Sequence, residues 1–388
     1  MDNHKTDKIK IHFNVPAKVG NEMRYIEEVI TNKKLSGEGP FNKKCAEFLK
    51  RRLNAKKVLM TPSCTHALEM AAILLRLKEG DEVIMPSYTF SSTATSVCIR
   101  GARPVFIDIR EDTLNMDEAL IEKAITPRTK AIFVMHYAGV GCRMDLIMEI
   151  ARKYNLFVVE DAAQAIDAKI GGRYLGGIGH LGCFSFHETK NCVCGEGGAL
   201  VINDERFLER AEIIREKGTN REKFFRGEVD KYTWVDIGSS YLLSELCAAY
   251  LYAQFENIDK ITLRRKEVYT RYNVSLKALE DNGRFRLPIL PEDCDTNYHI
   301  FFLLLPDEKT RNDLMDYLKS NGILAVFHYL PLHLSLMGTG MGYKKGDLSI
   351  TEDLSSRVLR LPLYHDLTLE DQEYVISRIK EFFNENKG

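Results

Sequence analysis

Several short segments of this chain carry reactive side chains in an order that suits one shared site. They are Ser63-Cys64-Thr65, Pro86-Ser87-Tyr88-Thr89-Phe90, His136-Tyr137, Asp161-Ala162-Ala163-Gln164 and Ser185-Phe186-His187-Glu188-Thr189-Lys190-Asn191. Singly, each has an ordinary explanation. Hydroxyls ahead of a helix cap it, a phenylalanine fills a core, an aspartate caps a helix and a lysine rides a solvated loop. Together they match a more demanding chemistry. Lysine is the mid-chain primary amine that can form an imine with an aldehyde. A buried aspartate holds a proton on a pyridine nitrogen by favouring the charged ring. A helix start with nearby hydroxyls binds phosphate, and an aromatic face covers a flat heterocycle. On these grounds Lys190 and Asp161 are the catalytic candidates. Cys64, Thr65 and Ser185 are the phosphate candidates, and Phe90 is the ring cover. A ligand that needs all four features is pyridoxal 5'-phosphate (PLP).

Such side chains act together only if one scaffold brings them together. Each segment follows a short apolar run: Lys57–Met60, Glu82–Met85, Ala131–Met135, Leu156–Glu160 and Gly182–Phe186, with Pro104–Asp108 and Ala199–Ile202 as further strands. Helical patterns fall between several of them, over Thr65–Arg76, Ser91–Arg100, Met116–Ala124 and Asp145–Tyr154. Alternation at this spacing predicts an α/β fold with a mostly parallel seven-stranded sheet covered on both faces. In such sheets ligands bind beyond the carboxyl ends of the strands. Beyond Asn203 the pattern turns helical, with a long amphipathic stretch over Ser244–Glu280. A turn at Pro288 and Pro291 leads into a smaller α/β unit: strand Ile300–Leu305, helix Lys309–Asn321, strand Ile323–Val326 and helix Leu369–Asn384. The division expected is a large domain with the N-terminal segment over residues 1–255, then a linking helix and small C-terminal domain over 256–388.

Composition narrows the partners. The chain has 388 residues, 54 basic against 55 acidic, so no overall field favours nucleic acid or an anionic membrane. Met1–Lys10 is polar and lacks the apolar core of a signal peptide, and no uncharged run is long enough to cross a bilayer. A cytoplasmic protein is expected. The nine cysteines show no Cys-x-x-Cys pair. His328 and His333 lack an evident third ligand, so no metal site is expected. The segment Arg215–Lys231, with six basic and four acidic residues, offers donors such as Lys217 and Arg221 for an anionic substrate, or is a solvated loop.

The order of these motifs, followed by His328-Tyr329 and Pro331-Leu332-His333, resembles the DegT/DnrJ/EryC1/StrS family of PLP-dependent nucleotide-sugar aminotransferases. The resemblance runs from about Asn14 to the C-terminus. It implies the PLP-dependent transferase fold type I, similar to aspartate aminotransferase. It implies Lys190 as the Schiff-base lysine and proton shuttle, Asp161 as the pyridinium partner, and Gln164 beside the ring hydroxyl. Many members place an asparagine from the second subunit on the phosphate. Ser240 stands at that point in Gly238-Ser239-Ser240 and inherits the role. His187, His328 and Tyr329 are implied to face the substrate. Ser185–Asn191 and Ile213–Ser240 most resemble members that make dTDP-4-amino-4,6-dideoxygalactose for enterobacterial common antigen. The implied partners are dTDP-4-dehydro-6-deoxyglucose, glutamate as amino donor, and a second copy of the chain. The gluco epimer, a C3 aminosugar and a non-catalytic regulatory protein on the same fold are the alternatives. Lys190 argues against the related sugar 3-dehydratases, which carry histidine there.

Overall fold

Seven strands build the central sheet: β1 Lys57–Thr61, β2 Glu82–Pro86, β3 Arg103–Ile107, β4 Thr129–Met135, β5 Phe157–Asp161, β6 Leu181–Ser185 and β7 Gly198–Ile202. Their spatial order is β1-β7-β6-β5-β4-β2-β3, and β7 alone runs antiparallel to its neighbours. The computed structural model describes residues 9–385; the polar stretch 1–8 and residues 386–388 lie outside it. Each of these seven strands lies within two residues of its expected place. The apolar runs are continuous because both faces are covered. Ile132, Val134 and Val158 pack on one face with Met144, Ile147 and Ala151. Ala131, Phe133 and Val159 pack on the other with Ala67, Leu68 and Ala71 of the Cys64–Leu74 helix. Side chains that alternate between two dry layers leave no polar period along the strand.

The expected helix over Met116–Ala124 is reduced to a turn at Glu118–Leu120 and a short helix at Ile121–Ala124. Met116 is held in a bridge to Ile109, and Asp117 caps the turn through the Ala119 amide. The helical stretch after Ser244 is two helices, Glu245–Phe255 and Ile258–Asp281, parted at Glu256 and Asn257. The chain also forms helices at Glu22–Thr31 and Pro40–Leu53, ahead of the first strand.

In the C-terminal part, β8 Phe302–Leu304 pairs antiparallel with β9 Val358–Arg360. Helices Glu308–Ser320 and Leu369–Glu385 flank them, and Leu303, Leu314, Leu359 and Val375 share a core. The strand expected at Ile323–Val326 is only two isolated bridges, Ile323 to Ile11 and Val326 to Arg360. Its other partner comes from the chain's beginning. Ile11 is buried in this C-terminal core, whereas Asn14 Nδ2 donates to the Glu188 carbonyl at 3.0 Å. The N-terminal segment thus touches both this core and the loop that carries Lys190.

Candidate active site

The carboxyl ends of β1, β2, β5 and β6 open into a cavity of about 840 Å³, closed on its far side by segments 299–300, 326–329 and 360–363. Of the residues singled out from the sequence, this cavity brings together Lys190, Asp161, Cys64, Thr65, Phe90, Gln164, Ser185, His187, His328 and Tyr329. A lysine ammonium and an aspartate carboxylate 29 positions apart in sequence thus face one space.

Asp161 ends β5 and is 4 % exposed. Its Oδ2 accepts from Thr93 Oγ1 at 2.7 Å and its Oδ1 from the Ala163 amide at 3.1 Å. Thr93 in turn accepts from Thr89, 2.9 Å away. Burial pushes the Asp161 carboxyl above its ordinary range, opposed by those two hydrogen bonds and by the positive charge of Lys190. Burial pulls the Lys190 ammonium below the ordinary lysine value, opposed by Cys64 and Asp161. Two groups at fixed positions with their charges both disfavoured mark a site that waits for a charged ligand.

The Cys64–Leu74 helix begins at the cavity. Its N-cap Ser63 is spent on the His66 amide at 3.2 Å. The Cys64 and Thr65 amides, in the first turn, have no intrahelical acceptor. Thr65 Oγ1 meets Ser92 Oγ at 2.7 Å, so a second helix start, Ser91–Cys98, joins the same corner. Burial raises the Cys64 thiol well above its usual value, which leaves it neutral. An anion here therefore meets amides and hydroxyls without a thiolate to repel it. β7 must pass close by: a Cβ on Gly198 would collide with the Ser63 backbone and the Cys64 nitrogen. These groups fit PLP: a phosphate-sized amide corner, a buried carboxylate and an amine in one cavity.

Across the cavity, Gln164 Oε1 accepts from the Ala138 amide at 2.7 Å and its Nε2 donates to Tyr329 Oη at 2.8 Å. Tyr329 stacks on His328 with ring centroids 3.8 Å apart. His328 Nδ1 lies 2.7 Å from Tyr137 Oη, and burial keeps its ring neutral by pushing its pKa well down. Phe90, 57 % exposed, stands at the N-cap of the Ser91–Cys98 helix with its ring 6.1 Å from that of Tyr329. His187 Nδ1 sits 3.0 Å from Thr189 Oγ1 at the rim.

Not everything singled out lies here. Ser240 is exposed and bridges Glu216, while Lys217 and Arg221 each reach Glu216 Oε1 at 3.0 Å. None of the three lines the cavity of its own chain. His136 is fully buried, where its Nδ1 accepts the Cys142 amide and its Nε2 therefore donates to Glu160. His333 is likewise fully buried, between Ser87 Oγ at 2.7 Å and Glu352 Oε1 at 3.0 Å. No metal-binding group of His, Cys, Asp or Glu occurs among the described residues.

The residues that sequence reasoning missed are Thr93, Ser92, His299 and Arg360. His299 Nδ1 donates to Asn191 Oδ1 at 2.8 Å, one residue from Lys190, and burial holds its pKa well below the usual value. Thr93 stands four positions after Thr89, a spacing that could have signalled it. His299 and Arg360 carry no comparable signal.

Fold and site together define a PLP-dependent aminotransferase of fold type I. The chain belongs to the DegT/DnrJ/EryC1/StrS aminotransferase family, which it matches over residues 16–380. It is 34 % identical over 364 residues to the "Pleiotropic regulatory protein" of Geobacillus stearothermophilus, covering 93 % of this chain and 94 % of that one. It is 32 % identical over 381 residues to the "Spore coat polysaccharide biosynthesis protein SpsC" of Bacillus subtilis, covering 95 % and 96 %. Among solved structures it superposes on DesV of S. venezuelae with a TM-score of 0.85 at 31 % identity, covering 93 % and 94 % of the two chains. The aminotransferase TlmJ of Streptoalloteichus hindustanus gives 0.89 at 29 %, covering 97 % and 100 %. No helix among the described residues is long and apolar enough to cross a membrane.

Proposed function

We propose that this aminotransferase moves an amino group from glutamate to C4 of dTDP-4-dehydro-6-deoxyglucose, giving dTDP-4-amino-4,6-dideoxygalactose. The observation that carries the reading is the single cavity shared by Lys190, Asp161 and the Cys64 helix start. Its volume, about 840 Å³, is in the upper part of the ~300–1,000 Å³ range of small-molecule pockets, room for a cofactor and a second molecule. The kinship with SpsC, named for polysaccharide biosynthesis, favours a sugar as the second molecule.

Bound PLP supplies an electron sink that lets a proton leave the carbon bearing the amino group. Each residue then has its own task. Asp161 holds the ring-nitrogen proton, and Thr93 and the Ala163 amide hold Asp161. The Cys64 and Thr65 amides with Ser185 hold the phosphate, and Phe90 covers the ring face. Lys190, whose ammonium burial disfavours, takes the proton leaving the donor's α-carbon. A positioned base of this kind contributes roughly 10²- to 10⁴-fold. Gln164 ties the cofactor side to Tyr329, and His187, His328 and Tyr329 face the sugar.

The large domain of residues 1–255 and the linking helix with small domain over 256–388 belong to the same reading. So does a homodimer, in which Ser240 reaches the partner's phosphate and Lys217 and Arg221 the sugar nucleotide. Supporting it, the segment around Ser240 exposes Phe225 at 63 %, Tyr232 at 53 % and Trp234 at 76 %, more apolar surface than a free loop usually carries. Cytoplasmic action fits a nucleotide-sugar substrate, and the product would feed enterobacterial common antigen or O-antigen synthesis. Incubation of the PLP-loaded protein with dTDP-4-dehydro-6-deoxyglucose and glutamate, followed by NMR of the product, tests the reading. The galacto C4 amine is expected. A gluco epimer, a C3 amine or no aminosugar would overturn it.

A further inference from the structure

Lys190 stands in the irregular loop between β6 and β7, where neither helix nor strand fixes it. Its own amide donates to the His187 carbonyl at 2.9 Å, a bond within the same turn. Asn14 Nδ2 touches the loop from its exposed side, at the Glu188 carbonyl. The buried anchor is the residue after the lysine. Asn191 is 5 % exposed, and its side chain makes two hydrogen bonds to one segment distant in sequence. Its Nδ2 donates to the Asn297 carbonyl at 2.8 Å, and its Oδ1 accepts from His299 Nδ1 at 2.8 Å. The first bond decides the second. With Nδ2 spent on a carbonyl, Oδ1 must face the imidazole, so His299 carries its proton on Nδ1. Burial and the positive charges of Lys190, Arg265 and Arg360 keep the ring neutral. Its Nε2 is then a lone pair without a partner among the described residues, on a ring that lines the cavity.

The segment that supplies these partners is held on both sides. Tyr298, between Asn297 and His299, has a φ of 54°, a left-handed conformation that strains a bulky residue. On one side Arg265 donates to the Tyr298 carbonyl at 3.1 Å and to the His299 carbonyl at 2.7 Å. On the other, Asn297 Nδ2 donates to the Gln164 and Ile166 carbonyls at 2.9 and 2.8 Å. Asn297 Oδ1 accepts the His299 amide at 3.2 Å, and a Cβ on Gly139 would collide with that oxygen. Strain persists only where the surrounding bonds over-determine it, and it gathers at functional sites. Here the strained segment ends on Asn191, one residue from the reactive amine.

The reaction explains why such an anchor is needed. Lys190 must leave the cofactor, take a proton from the donor's α-carbon and later return to the atom it left. In between, its side chain is a flexible tether, and only the backbone that carries it can be fixed. We propose that His299 is a positioning residue for Lys190, acting through its Nδ1 hydrogen bond to Asn191. The Nε2 lone pair, although it has no partner, is not the working atom. The proposal rests on Lys190 being the lysine that joins and leaves PLP, and it is independent of the identity of the sugar.

The test uses full-length PLP-loaded protein and separates the two ring nitrogens. In His299→Asn the amide nitrogen can take the place of Nδ1 while Nε2 is lost; in His299→Phe both are lost. A panel of amino acids first identifies the donor of the wild-type enzyme by the change in cofactor absorbance. For that donor, the single-turnover rate is expected to fall on the order of 100-fold in His299→Phe, as when a reacting group is misplaced by about 1 Å. The apparent donor Kd should not change, and His299→Asn should recover most of the rate. Asn191→Ala should lose as much as His299→Phe, and the double variant no more than either, because the same bond is removed. Borohydride reduction with PLP saturating needs no turnover. Bound PLP should stay at the wild-type level, while the share fixed on Lys190 falls in His299→Phe and in Asn191→Ala. Should these variants fail to fold, nitrogen-15 NMR of the wild-type protein must still show His299 neutral and protonated at Nδ1; a charged ring or a proton on Nε2 overturns the proposal. A wild-type rate in His299→Phe overturns it as well. So does a His299→Asn as slow as His299→Phe, which would assign the work to Nε2. If wild-type protein takes no label on Lys190, the assignment of the lysine fails; a labelled Lys190 with unaffected variants sinks this proposal alone.

Discussion

Replacing Thr93 by valine removes one hydroxyl and leaves the shape of the side chain almost intact. Thr93 is fully buried, and its hydroxyl is the shorter of the two hydrogen bonds that Asp161 accepts, 2.7 Å against 3.1 Å from the Ala163 amide. A hydrogen bond to a charged group contributes about 1.5–3 kcal/mol. The carboxylate form of Asp161 loses that stabilisation while the neutral form loses less, so burial pushes its pKa further upward. A neutral Asp161 cannot favour a protonated ring nitrogen. Thr93→Val should therefore lower kcat/KM by roughly 10- to 150-fold, the energy above converted to a rate. The acid limb of its pH profile should move to higher pH, because ionised Asp161 is reached later. Thr93→Ser keeps the donor and should recover most of the loss. The assay is steady-state turnover over a pH series with PLP saturating. Wild-type kcat/KM in Thr93→Val with an unmoved acid limb would show that Asp161 does not act through its charge.

Asp161→Asn should raise the stability of the protein freed of PLP. The carboxyl's folded pKa lies above its unfolded value, so the penalty appears as pH rises past that unfolded value and is complete above the folded one. Denaturant midpoints of the apo variant and wild type should thus converge in acid and part towards neutral pH, with the variant higher. The PLP-induced shift in midpoint should shrink in the same variant. Gly198→Ala puts a methyl group against the Ser63 backbone and the Cys64 nitrogen, both of which belong to the helix start. Strain of this kind costs about 1–3 kcal/mol. It should appear as weaker PLP binding by fluorescence titration together with a lower melting temperature.

The fold was legible in the sequence because its strands are dry on both faces. Ile132-Phe133-Val134 alternates between two buried layers and reads as an unbroken apolar run, which only a covered sheet accommodates. The site was legible where reactive residues follow such runs directly, as Asp161 and Ser185 do at the ends of β5 and β6. Legibility failed wherever position depends on tertiary contacts. Arg360 sits in a three-residue strand that directly follows the Ser349–Arg357 helix, too short to leave a pattern of its own. Ile323–Val326 has a strand-like sequence, but it finds only single bridges, one of them to a residue more than three hundred positions earlier. His299 lies in an irregular segment held by Arg265, whose guanidinium donates to the Tyr298, His299 and Leu363 carbonyls. Ser240, Lys217 and Arg221 gather round Glu216 instead, away from the cavity of their own chain.

The central claim is that the Lys190 amine and the Asp161 carboxylate hold one PLP molecule between them. Borohydride reduction of the PLP-loaded protein, followed by peptide mass mapping, tests it most directly. The phosphopyridoxyl group is expected on Lys190, in wild-type protein and in Asp161→Asn alike, while Lys190→Ala should take no label there and transfer no amino group. A label on another lysine of the wild-type protein, or turnover in Lys190→Ala, would contradict it.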